Sequence, residues 1–246
     1  MSYSYNMKTV NDIMLFFDQW APKHLAETWD NVGLQIGNPE AQYSEIVIAL
    51  EADEAVLSYL KKRKNCCVIT HHPLFFKPLK HIRYDNDMGE ILQTFLNGNH
   101  HLFSAHTNLD AAPQGVNDCL ITYYNLDPKK GKPIMDGFGK YFENINLSFN
   151  QINDVFPATI KGSSKKTIIN TLGFCAGSGH GLIDHVIELK CDAFITGEIT
   201  YHDHVKCRMN DVAVITLGHK ESENIICEVI QQKLQAAGAK NTHIIL

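Results

Sequence analysis

Residues 45–73 read EIVIALEADEAVLSYLKKRKNCCVITHHP, and this segment sets the fold class. The β-branched run at 45–50 predicts a buried strand, and CCVIT at 66–70 predicts a second one. Between them, residues 53–64 have the apolar spacing of an amphipathic helix. A strand, a crossover helix and a second strand favour parallel pairing, so we predict an α/β fold.

The same alternation continues on both sides of this segment. Residues 8–20 predict a helix capped by Thr9 or Asn11, and the glycines and proline of 29–40 predict a loop. Downstream we predict a helix at Met88–Asn97, a strand at His101–Ala105 and a further helix from near Gly115. Residues 127–140 are polar and rich in glycine, proline and lysine, which predicts a lobe boundary there.

Two α/β lobes, 1–126 and 127–246, are therefore expected within one compact unit. Strands are predicted in the second lobe at 166–175, 193–196 and 212–217, with helices at 181–190 and from His219 through Lys233. The two lobes also match in sequence. CVITHH (67–72) corresponds to AFITGE (193–198), and SAHTNLD (104–110) corresponds to TLGHKESE (216–223).

In the last matched pair, each half ends a strand, places a histidine and places a carboxylate four residues later. The pairs are His106 with Asp110 and His219 with Glu223. Short apolar strands can match by chance, but this pattern favours an internal duplication. We expect two similar mixed-sheet lobes with a metal site in the cleft between them, because open parallel sheets bind ligands at the carboxyl ends of their strands.

Composition excludes several classes of protein. The chain has 246 residues, 44% of them hydrophobic, and a formal net charge of −5 with only three arginines. A nucleic-acid-binding surface is therefore disfavoured. No apolar run is long enough to span a bilayer, and the N-terminus lacks a signal-peptide core, so we expect a cytoplasmic protein with no membrane partner. Seven cysteines without a C-x-x-C pair argue against a disulfide framework.

The chain has 13 histidines, and several of them stand in groups. His71 and His72 directly follow a predicted buried strand, and Pro73 then turns the chain away. Consecutive residues at a strand end point in opposite directions, so the two side chains could serve two neighbouring ions. A histidine pair without this context is more often a surface feature.

His219 and Glu223 have the i, i+4 spacing that places two side chains on one helix face. They could share an ion, or they could form an ordinary salt-linked helix start. Asp110 lies after a strand, where both oxygen ligands and ordinary turn aspartates occur. Mixed nitrogen and oxygen donors suit Zn, Mn, Fe, Co or Ni, and we expect two divalent ions about 3.5–4 Å apart that share Glu223.

Five ordered motifs resemble one known family over nearly the whole chain. They are WDNVGLQIG (29–37), THHPLF (70–75), SAHTNLDAAPQGVND (104–118), DAFITGEITYH (192–202) and GHKESE (218–223). They are similar to those of the Nif-three-like dinuclear metal-centre family, the GTP cyclohydrolase I type 2 homologues, in its compact form without an inserted domain. Gln114, Lys220 and His180 depart from the family pattern, but none of them is a proposed ligand.

The resemblance implies a set of metal ligands, an assembly and an activity. The family's ligands fall on His71, His72, Asp110, His219 and Glu223. His106 matches a histidine beside the metals. The implied assembly is a homohexameric toroid, a trimer of dimers, of two-lobed subunits. The implied substrate is GTP, a small-molecule nucleotide that is opened at its purine ring to give dihydroneopterin triphosphate and formate.

Two classes of function therefore stay open at this point. The first is a metal-dependent hydrolase in which His106 or Glu198 moves a proton, with nucleotide phosphoester hydrolysis as a related reaction. Glu198 could equally be an outer partner of the site or a helix-start residue. The second class is a metal-containing hexameric scaffold or binding module without turnover. The glycine-rich loop CAGSGHG (175–181) could bind an anion, although tight turns need glycine in any case.

Overall fold

The computed structural model describes residues 7–155, 159–161 and 167–246, and of 159–161 it describes the backbone. The chain divides into two compact units. The first contains Met1–Leu109 and Ile226–Leu246, and the second contains Asp110–Ile225. The boundary predicted at 127–140 lies inside the second unit. Ile226–Leu246, which contain most of the last helix and the last strand, belong to the first unit. No local feature of the sequence indicates that the chain returns to this unit.

Helices and strands alternate through both units. The α-helices of the described residues are α1 (Val10–Trp20), α2 (Glu54–Leu60), α3 (Asp87–Gly98), α4 (Thr107–Ala111), α5 (Val116–Tyr123), α6 (Phe149–Asn153), α7 (Ile183–Glu188), α8 (Tyr201–Met209), α9 (His219–Glu223) and α10 (Ile225–Ala236). The strands are β1 (Gly33–Ile36), β2 (Glu45–Ala49), β3 (Cys66–Thr70), β4 (His101–Ser104), β5 (Lys132–Ile134), β6 (Gly139–Phe142), β7 (Leu147–Ser148), β8 (Thr159–Lys161), β9 (Ile168–Ile169), β10 (Leu172–Ser178), β11 (Ala193–Glu198), β12 (Ala213–Thr216) and β13 (Thr242–Ile244).

The first unit is built on a sheet with the strand order β1-β4-β3-β2-β13. The last four of these strands run parallel, and β1 pairs antiparallel with β4 at one edge. All five residues of β3 are buried, as expected of a central strand covered on both faces. The crossover unit predicted within residues 45–73 is confirmed by β2, α2 and β3.

One local prediction in the first unit is wrong. Residues 29–40 were expected to form a loop, but Gly33–Ile36 within them form β1. Its residues are all only half-buried, and the apolar–polar–apolar run of residues 34–36 between two glycines is too short to predict a strand. The prediction for α1 is better: Thr9 caps the helix in a reciprocal capping box with Asp12, and Val10, Ile13 and Phe17 are buried.

The second unit is built on a sheet with the strand order β5-β6-β10-β11-β12-β8. Its central strands β10, β11 and β12 run parallel, whereas β6 and β8 pair antiparallel on either side of them. The sequence predicted the three central strands. It did not predict α8, whose polar sequence YHDHVKCRM gives little helical periodicity although Thr200 and Asp203 form a capping box at its start.

The α/β class with mixed sheets is confirmed. In each unit the matched sequence motifs include the carboxyl ends of two adjacent parallel strands, β3 and β4 in the first and β11 and β12 in the second. Internal duplication stays a prediction. None of the seven cysteines, all of them among the described residues, is in a disulfide; six are buried and Cys119 is half-buried. Over the described ranges, no helix combines the length and the apolar character needed to cross a membrane.

Candidate metal centre

Three histidines of the first unit meet at the carboxyl ends of two neighbouring strands. His71 and His72 directly follow β3, and His106 follows β4, the parallel neighbour of β3 in the sheet. One ring nitrogen from each of the three residues lies within 4.8 Å of the others. The ring centroids are 5.0 to 5.5 Å apart. Parallel pairing therefore brings together side chains that are far apart in the sequence.

The hydrogen bonds of His71 and His72 fix which ring nitrogen carries the proton. The Nδ1 of buried His71 donates to the carbonyl oxygen of Ala105 at 2.9 Å. The Nδ1 of His72 donates to Oε1 of Glu51 at 3.2 Å. A carbonyl or carboxylate oxygen only accepts, so both imidazoles in their neutral form carry the lone pair on Nε2. Metal-binding histidines are typically oriented in this way.

His106 is oriented by Asp30, a residue of the WDNVGLQIG motif to which the sequence analysis assigned no chemical role. Its Nδ1 lies 3.0 Å from Oδ1 of Asp30, whose side chain is fully buried. The other carboxylate oxygen accepts from the backbone N–H and the hydroxyl of Thr107. Burial alone would raise the pKa of Asp30, but the hydrogen bonds from His106 and Thr107 outweigh it and lower the pKa to about 2. Asp30 is therefore ionised at neutral pH and can only accept.

The second unit places His219 between two carboxylates. His219 and Glu223 occupy the two ends of α9, and Nε2 of His219 lies 3.4 Å from Oε2 of Glu223. On the other side of the ring, Nδ1 lies 3.0 Å from Oε1 of Glu198 at the end of β11. Hydrogen bonding to Glu223 raises the pKa of His219 to about 9, and Glu198 adds to the effect. A divalent ion could take the place of the proton between Nε2 and the buried Glu223.

Glycine at 177 is what allows Glu223 to lie where it does. Gly177 has a φ of +61°, and a Cβ built on it would lie 2.1 Å from Oε1 of Glu223. The backbone N–H of Gly177 donates to the hydroxyl of Ser222, one residue before Glu223. The segment 175–181 was expected to be a loop that could bind an anion, but 175–178 belong to β10 and the carboxylate of Glu223 lies beside Gly177.

Gly177→Ala is expected to disturb the site and the fold together. A left-handed backbone costs an alanine about 1–2 kcal/mol, and the collision with Glu223 adds to that cost. Thermal unfolding should therefore shift to lower temperature, and the protein should retain less divalent metal after dialysis. Gly181→Ala is the matched control, because Gly181 has nothing within 4 Å of a built Cβ. Equal metal content and stability in the two variants would contradict this role.

Asp110 lies in the second unit on α4, four residues after His106. Asn117 of α5 donates to the backbone oxygen of Asp110 and accepts from the N–H of Ala176 on β10. Burial raises the pKa of the Cys175 thiol, and the charges of Asp110 and Glu223 raise it further. Asn117 ties the backbone of Asp110 to Ala176, and Glu223 lies beside Gly177, so both residues are at this end of β10.

The positions predicted as metal ligands or catalytic residues fall into two sets. The first unit holds His71, His72 and His106, and the second unit holds Asp110, Glu198, His219 and Glu223. The three imidazole nitrogens of the first set, and the imidazole and carboxylate donors of the second, are each compatible with a divalent transition metal. Sequence reasoning missed Glu51, Ala105 and the role of Asp30. Asp30 and Ala105 stand in two of the five quoted motifs, whereas Glu51 lies in none of them.

Comparison with known proteins assigns the chain to a family. Residues 8–246 match the family described as Duf34/NIF3 (NGG1p interacting factor 3). The chain belongs to the DUF34/NIF3 family. The resemblance read from the five motifs is thereby confirmed. Gln114, which departs from the family pattern, has a φ of +59°, a left-handed backbone conformation that favours glycine.

Individual DUF34/NIF3 relatives cover most of the chain. A protein of Clostridium acetobutylicum named "GTP cyclohydrolase 1 type 2 homolog" is 30% identical over 93% of this chain and 90% of its own length. A protein of Helicobacter pylori named "GTP cyclohydrolase 1 type 2" is 28% identical over 91% of this chain and 92% of its own length. Among solved structures, reduced HcgD from Methanocaldococcus jannaschii has a TM-score of 0.84 at 26% identity and covers 96% of both chains.

Proposed function

We propose that this protein is a metal-dependent hydrolase that opens the purine ring of GTP to give dihydroneopterin triphosphate and formate. The observation that carries the proposal is the orientation of four imidazoles. Nδ1 of each of them lies within 3.2 Å of a carbonyl or carboxylate oxygen, as in metal-binding histidines. The choice of GTP rests on the names of the Clostridium and Helicobacter relatives.

In this proposal the ligand sets of the two units hold the same two divalent ions. The ligands are His71, His72, Asp110, His219 and Glu223, with Glu223 shared between the ions. Three imidazoles and two carboxylates suit Zn, Mn, Fe, Co or Ni. Bound divalent ions of this kind act as Lewis acids and lower the pKa of water toward neutrality.

The side chains around the ligands transfer protons and orient the ligand imidazoles. The carbon that leaves as formate is bonded to two ring nitrogens, so two C–N bonds must break. Each cleavage consumes one water and gives a proton to the departing nitrogen, and closure of the pterin ring then releases one water. His106 accepts a proton from the attacking water at Nε2 and returns it to a departing nitrogen, while Asp30 keeps Nδ1 protonated and stabilises the imidazolium. Glu198 holds the ring of His219 in place through Nδ1. The homohexamer implied by the resemblance stays a prediction.

Metal removal and reconstitution test the proposal. Protein stripped with a chelator should release no formate from GTP. Reconstitution with Zn, Mn, Fe, Co or Ni, each in a separate sample, should restore formate and a fluorescent pterin in equal amounts with at least one metal. Release of phosphate without formate would contradict ring opening and favour phosphoester hydrolysis. Stable metal binding with no product from any metal would contradict the hydrolase and favour the scaffold.

A further inference from the structure

Two large aromatic side chains of the first unit are exposed beside the histidine cluster. Trp29 is 55% exposed and Phe76 is 51% exposed. Their ring centroids lie 5.3 Å apart. Each ring also lies close to His106, with centroid distances of 6.2 Å from Trp29 and 6.4 Å from Phe76. The two aromatic rings therefore border the imidazole to which we assign the proton transfer.

Hydrogen bonds hold the segments that carry these rings against each other. The side-chain amide of Asn31 donates to the backbone oxygen of Phe75, and Oε1 of Gln35 accepts from the Phe75 N–H. The amide of Gln35 in turn donates to the backbone oxygen of Asn31. On the other side of Trp29, buried Asp30 fixes the chain through Thr107. Both rings are thus exposed but carried on a preorganised backbone.

The geometry of the pair limits how a ligand can bind. The planes of Trp29 and Phe76 are inclined at 52°, and the rings are close enough to contact each other. A flat ligand therefore cannot enter between them and must lie on an outer ring face. Stacking on an aromatic face suits any heteroaromatic base, because every such base has a π-face.

We propose that Trp29 and Phe76 form a stacking shelf for the purine base of the substrate, next to His106. This inference rests on the proposed function for the identity of the substrate. It adds two binding residues that orient the base. The aliphatic or anionic parts of a ligand would gain nothing from such a shelf, so the base alone should be recognised there.

The fluorescence of Trp29 reports the binding of a base at the shelf and does not require turnover. The chain has two tryptophans, so Trp20→Phe leaves Trp29 as the single reporter in the metal-loaded protein. GTP and guanosine should each quench its emission saturably, whereas inorganic triphosphate should leave it unchanged. Trp29→Phe, which retains Trp20, corrects for light absorbed by the nucleotide.

A pair of matched variants tests Phe76 in the same assay. Phe76→Leu should weaken binding of GTP and guanosine about 10-fold, in line with the loss of a stacked base. Tyr123→Leu, which removes another half-exposed aromatic ring from the second unit, should leave both affinities unchanged. Both variants should keep the metal content of the starting protein.

Two results would overturn the shelf. One is the absence of saturable quenching by GTP and guanosine. The other is Trp29 emission that changes with the concentration of the protein but not with that of the nucleotide. Such a change would mean that a second copy of the chain covers the two rings. Formate release without quenching would reject the shelf and keep the hydrolase, whereas quenching without any formate would keep the shelf and reject the hydrolase.

Discussion

Glu223→Gln should lower metal affinity by more than about 100-fold, because removing a residue that only hydrogen-bonds to a metal ligand already lowers affinity by up to about 100-fold. Activity should fall together with the metal content. Glu223 is buried, and its carboxylate is the principal cause of the raised pKa of His219. Glutamine keeps the volume of the side chain but removes the charge that a divalent ion would neutralise. Elemental analysis after dialysis and formate release from GTP measure the two effects.

Glu221→Gln is the matched control for this change, because Glu221 lies on the same short helix but is exposed. It should keep both metal and activity. Light scattering on each variant separates the two functional classes. In an enzyme the assembly stays intact while activity is lost, whereas in a metal-dependent scaffold the assembly would be lost with the metal. A Glu223→Gln protein with full metal content would contradict the ligand assignment.

Asp30→Asn should destabilise the protein by about 1–3 kcal/mol and reduce formate release as well. Both carboxylate oxygens of Asp30 accept from a backbone N–H, Oδ1 from Asn31 and Oδ2 from Thr107. An asparagine amide has only one acceptor oxygen, so its NH₂ group must face one of these donors whichever way it is turned. Turned one way, the NH₂ group faces the exposed Asn31 N–H and Nδ1 of His106; turned the other way, it faces the N–H of buried Thr107, where a donor without an acceptor costs about 1–3 kcal/mol. In both cases the charge that orients His106 is lost.

Urea unfolding of Asp30→Asn measures the stability, with Asp18→Asn as the control because Asp18 is exposed on α1. Metal content should change less than activity, since His106 is assigned to proton transfer and not to the ligand set. Retention of full stability and full activity would contradict the role given to Asp30. Loss of all bound metal with the fold intact would instead assign His106 to the ligands.

The site residues at strand ends could be predicted from the sequence because each prediction depends on a short stretch of neighbouring residues. A buried strand directly followed by His71, His72 and Pro73 fixes where those side chains stand on the sheet. The i, i+4 spacing of His219 and Glu223 similarly predicts that the two side chains lie on one helix face, and the structure places them 3.4 Å apart. In both cases a single element carries all of the information.

The hydrogen-bond acceptors of these histidines could not be predicted, because each acceptor comes from a different part of the chain from its histidine. Glu51 follows β2 and Ala105 follows β4, and nothing in their local sequence marks them as hydrogen-bond acceptors for an imidazole. The same reason explains why β13 was missed. Its residues pair in parallel with β2, at the opposite end of the sequence. Pairing over such distances depends on the packed sheet and leaves no periodic signal of its own.

The central claim is that the two ligand sets bind the same metal ions. Anomalous scattering from crystals of the reconstituted protein, recorded at the absorption edge of the bound metal, tests it most directly. The account predicts two peaks about 3.5–4 Å apart, each with donors from the first unit and from the second, and both in contact with Glu223. Peaks held by His71 and His72 alone, or by His219 and Glu223 alone, would contradict it.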